Sequence, residues 1–350
     1  MPNMKKFKDI RKKVLISGYY GFDNFGDEVI LGVLTKKLKS FGANVRVLSS
    51  NPEKTAVLYN VDTTLFFCLL QVIFRISKTD VLISGGGSLL QDVTSFKSLL
   101  YYLWVINTAL FFRKKVIIFA QGIGPINNKF GAMLTKKTLQ KCILVTVRDR
   151  KSRLLLHKWG VKADLVCDPL FDLQLPDAKP LNKAGVQLRS FKTLTDNLLQ
   201  KLAQQINKEF SGKEIEIYSF QDSLDLEVCK KFEKILKSIN PDINTKVIFN
   251  QTSQEILDKI SQLEYMIAMR FHANLISVKY GVKTLAVSYD IKVEKFAEET
   301  QIPCISMSAD ENYDKLFNKL KSLNPVQLKE FADSKHFDWD KIKKIISDDL

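Results

Sequence analysis

The chain has 350 residues, with 53 Lys and Arg against 38 Asp and Glu, giving a formal charge of +15 at pH 7. A hydrophobic share of 45% with 26% charged residues excludes a disordered chain, and the length predicts two domains, each with its own core. Five scattered cysteines (Cys68, Cys142, Cys167, Cys229, Cys304) with no CxxC or Cys/His spacing argue against a disulfide framework or a zinc site, and for a reducing, cytoplasmic setting. The basic start (Lys5, Lys6, Lys8, Arg11, Lys12, Lys13) leads into a short strand-like run, not the apolar segment of a signal peptide, and no run of 18 apolar residues predicts a membrane span. The positive charge needs an anionic partner, for which a lipid surface, nucleic acid and phosphorylated substrates all qualify.

Short runs rich in Val, Ile and Leu predict buried strands at 14–17, 45–49, 81–84, 116–120, 144–147 and 165–167. Helical patterns lie between them, such as 27–41 with Val29, Ile30, Val33, Leu34 and Leu38. This βαβ alternation implies a parallel sheet covered on both faces. A polar stretch with Pro and Gly, 175–185, reads as a linker between a domain at 1–175 and a domain at 184–350. The alternation then restarts, with strands predicted at 184–188, 215–219, 246–249, 265–268 and 284–287, and helices at 195–210, 224–238, 253–263, 271–280 and 292–299. The tail from 312 reads as helical and charged, and is assigned to the second domain. The expected fold class is therefore α/β, with two Rossmann-like domains facing across a cleft and ligands at the carboxyl ends of the strands.

The first strand–helix junction reads Ser17-Gly-Tyr19-Tyr-Gly-Phe-Asp23-Asn24-Phe-Gly-Asp27-Glu28. Its helix start would point N–H groups at an anion, but the spacing is not GxGxxG and there is no Walker lysine. Asp23, Asn24 and Asp27 could hold sugar hydroxyls, with one carboxylate as base; equally, Asn24 or Asp27 could simply cap the helix. The third strand ends in Gly85-Gly86-Gly87, a candidate nest for an anion or substrate, and the fourth in Gln121-Gly-Ile-Gly-Pro. Arg148 follows the fifth strand, suited either to carboxylate or phosphate recognition or to a salt bridge with Asp149 or another acid nearby.

In the second half, Met269-Arg270-Phe271-His272 opens a helix directly after a strand. His157 and His336 lie in charged helical surroundings, whereas His272 sits beside Arg270 at a helix N-terminus, where both favour a neutral imidazole until an anion binds. The alternative is an imidazole that only caps or packs the helix start. Lys292 follows the next strand, reaching the same cleft or serving as a solvated helix charge. Arg148, Arg270, His272 and Lys292 together suggest a cationic pocket for a small, densely charged anion, with no metal-ligand cluster. Two apolar stretches, 64–76 and 98–112, are too short to span a bilayer. They are either core helices or a monotopic face whose aromatics and basic residues meet an anionic membrane.

GYYGFDNFGDE, SGGGSLLQD, QGIGP, the RDRKS segment, MRFHANLISVKYGV and SYDIKVEKF, in this order from Val14 to Phe296, resemble the polysaccharide pyruvyl transferases. The nearest likeness is to the bacterial CsaB type of secondary cell-wall polymers. The resemblance implies a glycosyltransferase B-like fold and transfer of pyruvate from phosphoenolpyruvate to two sugar hydroxyls, forming a ketal and releasing phosphate. In the CsaB type the acceptor is a lipid-linked saccharide with N-acetylmannosamine, ketalised at O4 and O6. By resemblance Arg148, His272 and Lys292 bind phosphoenolpyruvate or act in catalysis, and the N-terminal glycine loop, with Tyr19 and Asn24, faces the acceptor. Ile291 departs from the family pattern, since many relatives have Pro there. His272 is expected as general acid, Arg148 and Lys292 as anion clamps assisted by Arg270, and Asp23 or Asp27 as base. Gly85, Gly86, Gly87 and Gln121 are expected to line the substrate site. No cofactor beyond the co-substrate is expected, and contact with an anionic membrane would place the enzyme at the inner face of the cell membrane. The rival readings are a nucleotide-sugar glycosyltransferase of the same architecture and a non-catalytic binder of anionic lipid or polymer; dispersed basic residues disfavour nucleic acid.

Overall fold

The computed structural model describes residues 12–175, 179–191, 194–306 and 311–347. Lys5, Lys6, Lys8 and Arg11 of the basic start, and residues 176–178 of the expected linker, lie outside the described residues. Chain contacts divide the molecule into two compact units: Met1–Phe22, Ile30–Pro169 and Phe337–Leu350 in the first, Asp23–Val29 and Leu170–His336 in the second.

The first unit is built on a parallel sheet with strand order β3-β2-β1-β4-β5-β6-β7. Its strands are β1 (Lys13–Ser17), β2 (Asn44–Ser49), β3 (Asp62–Leu65), β4 (Val81–Gly85), β5 (Lys115–Gln121), β6 (Leu144–Val147) and β7 (Asp164–Leu165). The helices between them are α1 (Phe25–Ser40), whose first turn belongs to the second unit, α2 (Pro52–Tyr59), α3 (Leu69–Ser77), α4 (Phe96–Phe111), α5 (Lys129–Leu139) and α6 (Arg150–Lys158). The central strands are buried on both faces, which is why they read as unbroken apolar runs. Strand order reverses between β1 and β4, where Ser17, the last residue of β1, pairs with Ser84 of β4.

The second unit repeats the plan with order β10-β9-β8-β11-β12-β13. It runs β8 (Lys183–Gln187), α7 (Asp196–Phe210), β9 (Glu214–Tyr218), α8 (Asp222–Ile239), β10 (Thr245–Ile248), α9 (Ser253–Ile260), β11 (Tyr265–Ala268), α10 (Phe271–Tyr280), β12 (Lys283–Ser288), α11 (Ile291–Thr300), β13 (Cys304–Ser306), α12 (Tyr313–Ser322) and α13 (Pro325–Asp333). Its core joins Val186, Ile217, Ile267 and Leu285 of the sheet to Leu202, Ile206, Phe232 and Phe317 of the helices. Here the reversal lies between β8 and β11.

Two edge strands, β3 and β13, escape the sequence reading. Each is short, and β3 is largely polar (DTTL), so neither carries an apolar run. The stretch 64–76 is not one helix: it ends β3, turns at Phe66–Cys68 and then enters α3. The stretch 98–112 forms most of α4, which buries Leu99, Tyr102, Leu103, Val105, Ile106 and Ala109 in the first core. No helix among the described residues is long and apolar enough to cross a membrane.

The charged tail, expected with the second half, divides between the units. α12 and α13 pack in the second, but α14 (Asp340–Ser347) belongs to the first. The cause is aromatic: Phe337 and Trp339 pack their rings on Phe119 of β5, with centroids 5.0 and 5.5 Å apart, while Lys341 reaches Asp164 at 2.7 Å. Trp339→Ala is therefore expected to destabilise the first unit by about 3–5 kcal/mol. Urea unfolding followed by circular dichroism measures this, and an unchanged midpoint would remove the tail from that core.

Candidate active site

In open parallel sheets ligands meet the carboxyl ends of strands where the order reverses. In the first unit that point is the β1 and β4 ends. Gly86 and Gly87 follow β4 with φ of +70° and +65°, a left-handed run that a side chain would strain. Beside them Gln121 ends β5 fully buried, its Nε2 donating to Ser84 O and Oγ, both at 2.9 Å. Its Oε1 accepts no hydrogen bond among the described residues, and neither does the buried Ser17 Oγ of β1. Tyr19 stacks face to face on Phe22 at 4.2 Å, and Phe22 meets Phe66 edge-on, so Tyr19 leans on the first core.

Arg148 follows β6 and pairs with the buried Asp168, Nη1 to Oδ2 at 2.8 Å. The neighbouring Asp149 instead caps α6, accepting from Ser152 N and Oγ. The salt-bridge reading thus holds, but with an acid 20 positions away in place of Asp149.

In the second unit the reversal point carries more polar structure. The segment Asp23–Val29 lies here. Asn24 caps the start of α1, its Oδ1 accepting from Asp27 N at 3.4 Å, so the capping reading holds for Asn24. Its Nδ2 donates to Gln221 Oε1 at 3.1 Å, and Phe25 N donates to Phe220 O at 3.0 Å. Asp23 is exposed at φ +56°, a conformation Asp tolerates better than most residues, and Asp27 is half-buried. Gly26 has a packing role: a Cβ there would stand 1.8 Å from His272 Nδ1. The imidazole at the second position of α10 thus lies directly against the Gly26 backbone.

Arg270, the residue before α10, is buried and doubly bonded to Asp225 of α8, Nε to Oδ2 at 2.9 Å and Nη2 to Oδ1 at 2.7 Å. Asp225 is fully buried and also accepts from Phe220 N and Gln221 N. Arg270 N donates to Gln187 Oε1 at the end of β8. Two of the four expected cations, Arg148 and Arg270, are thus charge-compensated and fixed in place by buried carboxylates. Lys292 is half-buried in the first turn of α11, its backbone N donating to Asp290 Oδ1 at 3.1 Å. Ile291 occupies the first helical position, where proline is favoured because no intrahelical bond is lost, so the departure from the family pattern leaves the turn intact.

Sequence reasoning missed Asp225, Gln187 and Arg189. Arg189 lies just past β8, its guanidinium 5.6 Å from the Tyr289 ring centroid and donating to Tyr289 OH at 3.4 Å. A cation directly after an apolar strand, the signal that singled out Arg148, marks it as well. Burial pushes the Cys142 and Cys229 thiols up to about 12 and Cys304 up to about 11, so all three remain protonated and are poor nucleophiles. Among the described residues no group of three His, Cys, Asp or Glu side chains could hold a metal ion.

Two outcomes follow from this packing. Gly26→Ala adds a residue that helices favour, yet its methyl must displace His272; we expect a folded protein by circular dichroism with turnover reduced about tenfold or more. Asp225→Ala leaves Arg270 buried without its carboxylate and is expected to cost about 3–5 kcal/mol in denaturant unfolding. Asp225→Leu combined with Arg270→Met should cost less than Asp225→Ala alone, and a double variant that is worse would contradict the pairing argument.

The polysaccharide pyruvyl transferase family profile matches residues 24–291. Comparison with curated protein sequences finds no match. Among solved structures, the UDP-GlcNAc 2-epimerase from Neisseria meningitidis bound to UDP-GlcNAc is similar at TM-score 0.59 and 11% identity, over 96% of this chain and 98% of that one. The UDP-GlcNAc 2-epimerase from Methanocaldococcus jannaschii gives 0.59 at 12%, over 92% and 98%. An α-glucosyltransferase in complex with UDP and a 13-mer DNA gives 0.59 at 11%, over 96% and 100%. At these identities the likeness is one of fold, and it agrees with two Rossmann-like parallel-sheet units of the glycosyltransferase B-like class. The profile spans the first turn of α1, Arg148, Arg270 and His272, and stops one residue short of Lys292. The chain belongs to the polysaccharide pyruvyl transferase family, enzymes that transfer pyruvate to polysaccharide.

Proposed function

We propose that the donor is phosphoenolpyruvate and the product a 4,6-linked pyruvate ketal on N-acetylmannosamine of a lipid-linked cell-wall polymer precursor, as in the CsaB type. The observation that carries this reading is the β11–α10 junction. There a buried arginine is locked by Asp225, and His272 stands at a helix N-terminus against Gly26. A carboxylate and a phosphate on one small molecule need fixed donors, and such a junction provides them without reorganisation.

His272, as imidazolium, gives a proton to the methylene carbon of phosphoenolpyruvate while one sugar hydroxyl adds to C2, its own proton passing to a base for which Asp23 and Asp27 are candidates. Phosphate then departs with its bridging oxygen and takes up the proton held by the base, leaving an oxocarbenium centre. The second hydroxyl closes the ketal and its proton returns to the imidazole. Arg148 and Lys292 hold the donor's carboxylate and phosphate, with Arg270 assisting. Tyr19, Asn24, Gly85, Gly86, Gly87 and Gln121 are assigned to the acceptor. This chemistry needs protonation and anion stabilisation only, so the reading includes no resident cofactor. It also places the enzyme at the cytoplasmic face of the cell membrane, where phosphoenolpyruvate and lipid-linked precursors meet.

Purified protein incubated with phosphoenolpyruvate and an N-acetylmannosamine glycoside on a lipid-like aglycone should release phosphate as the acceptor gains the mass of a pyruvyl group. His272→Ala should lower kcat about a hundredfold or more. Full turnover by that variant would remove the acid assignment. Turnover of a UDP-sugar, with indifference to phosphoenolpyruvate, would replace the reaction.

A further inference from the structure

We propose that the face of the first unit formed by α3, α4 and α5 docks on an anionic lipid bilayer, lying in its interface without spanning it. α4 packs beside both α3 and α5, so the three helices form one surface. Along it, Leu70 and Phe74 of α3 are 81% and 63% exposed, Phe111 at the end of α4 is 81% exposed, and Phe130 of α5 is 56% exposed. Between them the half-buried positions of α4 carry no charge, among them Trp104 and Tyr101, whose OH donates to Phe66 O at 2.7 Å. Side chains of this size gain from the acyl boundary, and Tyr and Trp favour the headgroup level.

The charge around this apolar strip identifies the partner. No Asp or Glu occurs from residue 63 to 79, nor from 93 to 148. The helix ends carry cations instead: Lys78 after α3, Arg113 and Lys114 after α4, Lys136 and Lys137 in the last turn of α5. Lys114 also ties α4 to α3, its Nζ donating to Ser77 O at 2.9 Å. Across the molecule, residues 1–169 hold 27 Lys and Arg against 11 Asp and Glu, whereas residues 170–350 hold 26 against 27. The whole excess of positive charge thus belongs to the half that exposes the apolar strip. A second copy of the chain pairing through this face would set like charges against each other, whereas acidic headgroups match the cationic rim and acyl chains the strip.

The test is flotation of the full chain with phosphatidylcholine vesicles, with and without phosphatidylglycerol. No step uses phosphoenolpyruvate or an acceptor, so its outcome is independent of the proposed reaction. The protein should float with the anionic vesicles, less so as salt is raised, and not with the neutral ones. Leu70→Ser combined with Phe74→Ser and Phe111→Ser should lower the bound fraction about tenfold with an unchanged thermal unfolding midpoint. Lys78→Glu with Arg113→Glu should remove the preference for anionic vesicles. The proposal is overturned by wild-type protein that stays in solution with anionic vesicles, or by a triple-serine variant that floats as well as wild type. A wild-type dimer that the triple variant splits in sedimentation velocity would assign the face to self-association instead.

Discussion

A carboxylate sealed from water, Asp225, and the guanidinium it grips hold the second unit's site in shape. Both oxygens of Asp225 are committed, to Arg270 and to two backbone N–H groups of the β9–α8 turn. Isolated in the interior either charge would be prohibitively costly, and together they are tolerated only in good geometry. That demand makes the pair a clamp. It joins the turn after β9 to the start of α10, while Arg270 N adds the end of β8 through Gln187. Three strand ends are fixed relative to one another by one ion pair, and His272 is two residues beyond it.

Small residues and caps then refine the placement. Gly26 lets the imidazole lie against the first turn of α1, and Asn24 closes that turn while holding Gln221. The first unit uses a parallel device: Arg148 is pinned by Asp168 just beyond the end of β6. In both units an arginine that motif reasoning treats as an available charge is already paired. Pairing compensates each guanidinium's charge and fixes its direction.

The two units also divide the molecule's electrostatics. The second is nearly neutral in sequence charge and rich in ion pairs such as Lys183–Glu216 and Lys208–Asp314. The first carries the surplus of cations and most of the exposed large apolar residues. Fold alone imposes no such division, because both sheets share one strand order over six strands, the first adding a seventh.

Much of the fold was legible because parallel strands buried on both faces are continuous apolar runs, and periodicity is a local property. The bounds of β6, β11 and α10 coincide with those expected from sequence. β3 and β13 were not legible, since β3 is largely polar and β13 is only three residues long. The candidate residues were legible as types at strand ends; their partners were not. Asp225 lies 45 positions from Arg270 and Asp168 lies 20 from Arg148, with no spacing rule to link them. The sequence by itself determined two α/β units and the chemistry available at their strand ends, because hydrophobic pattern and residue type are written locally. Only the tertiary structure decided that the last helix joins the first unit, that both arginines are paired, and that Gly26 makes room for His272, because each depends on atoms the chain brings together only when it packs.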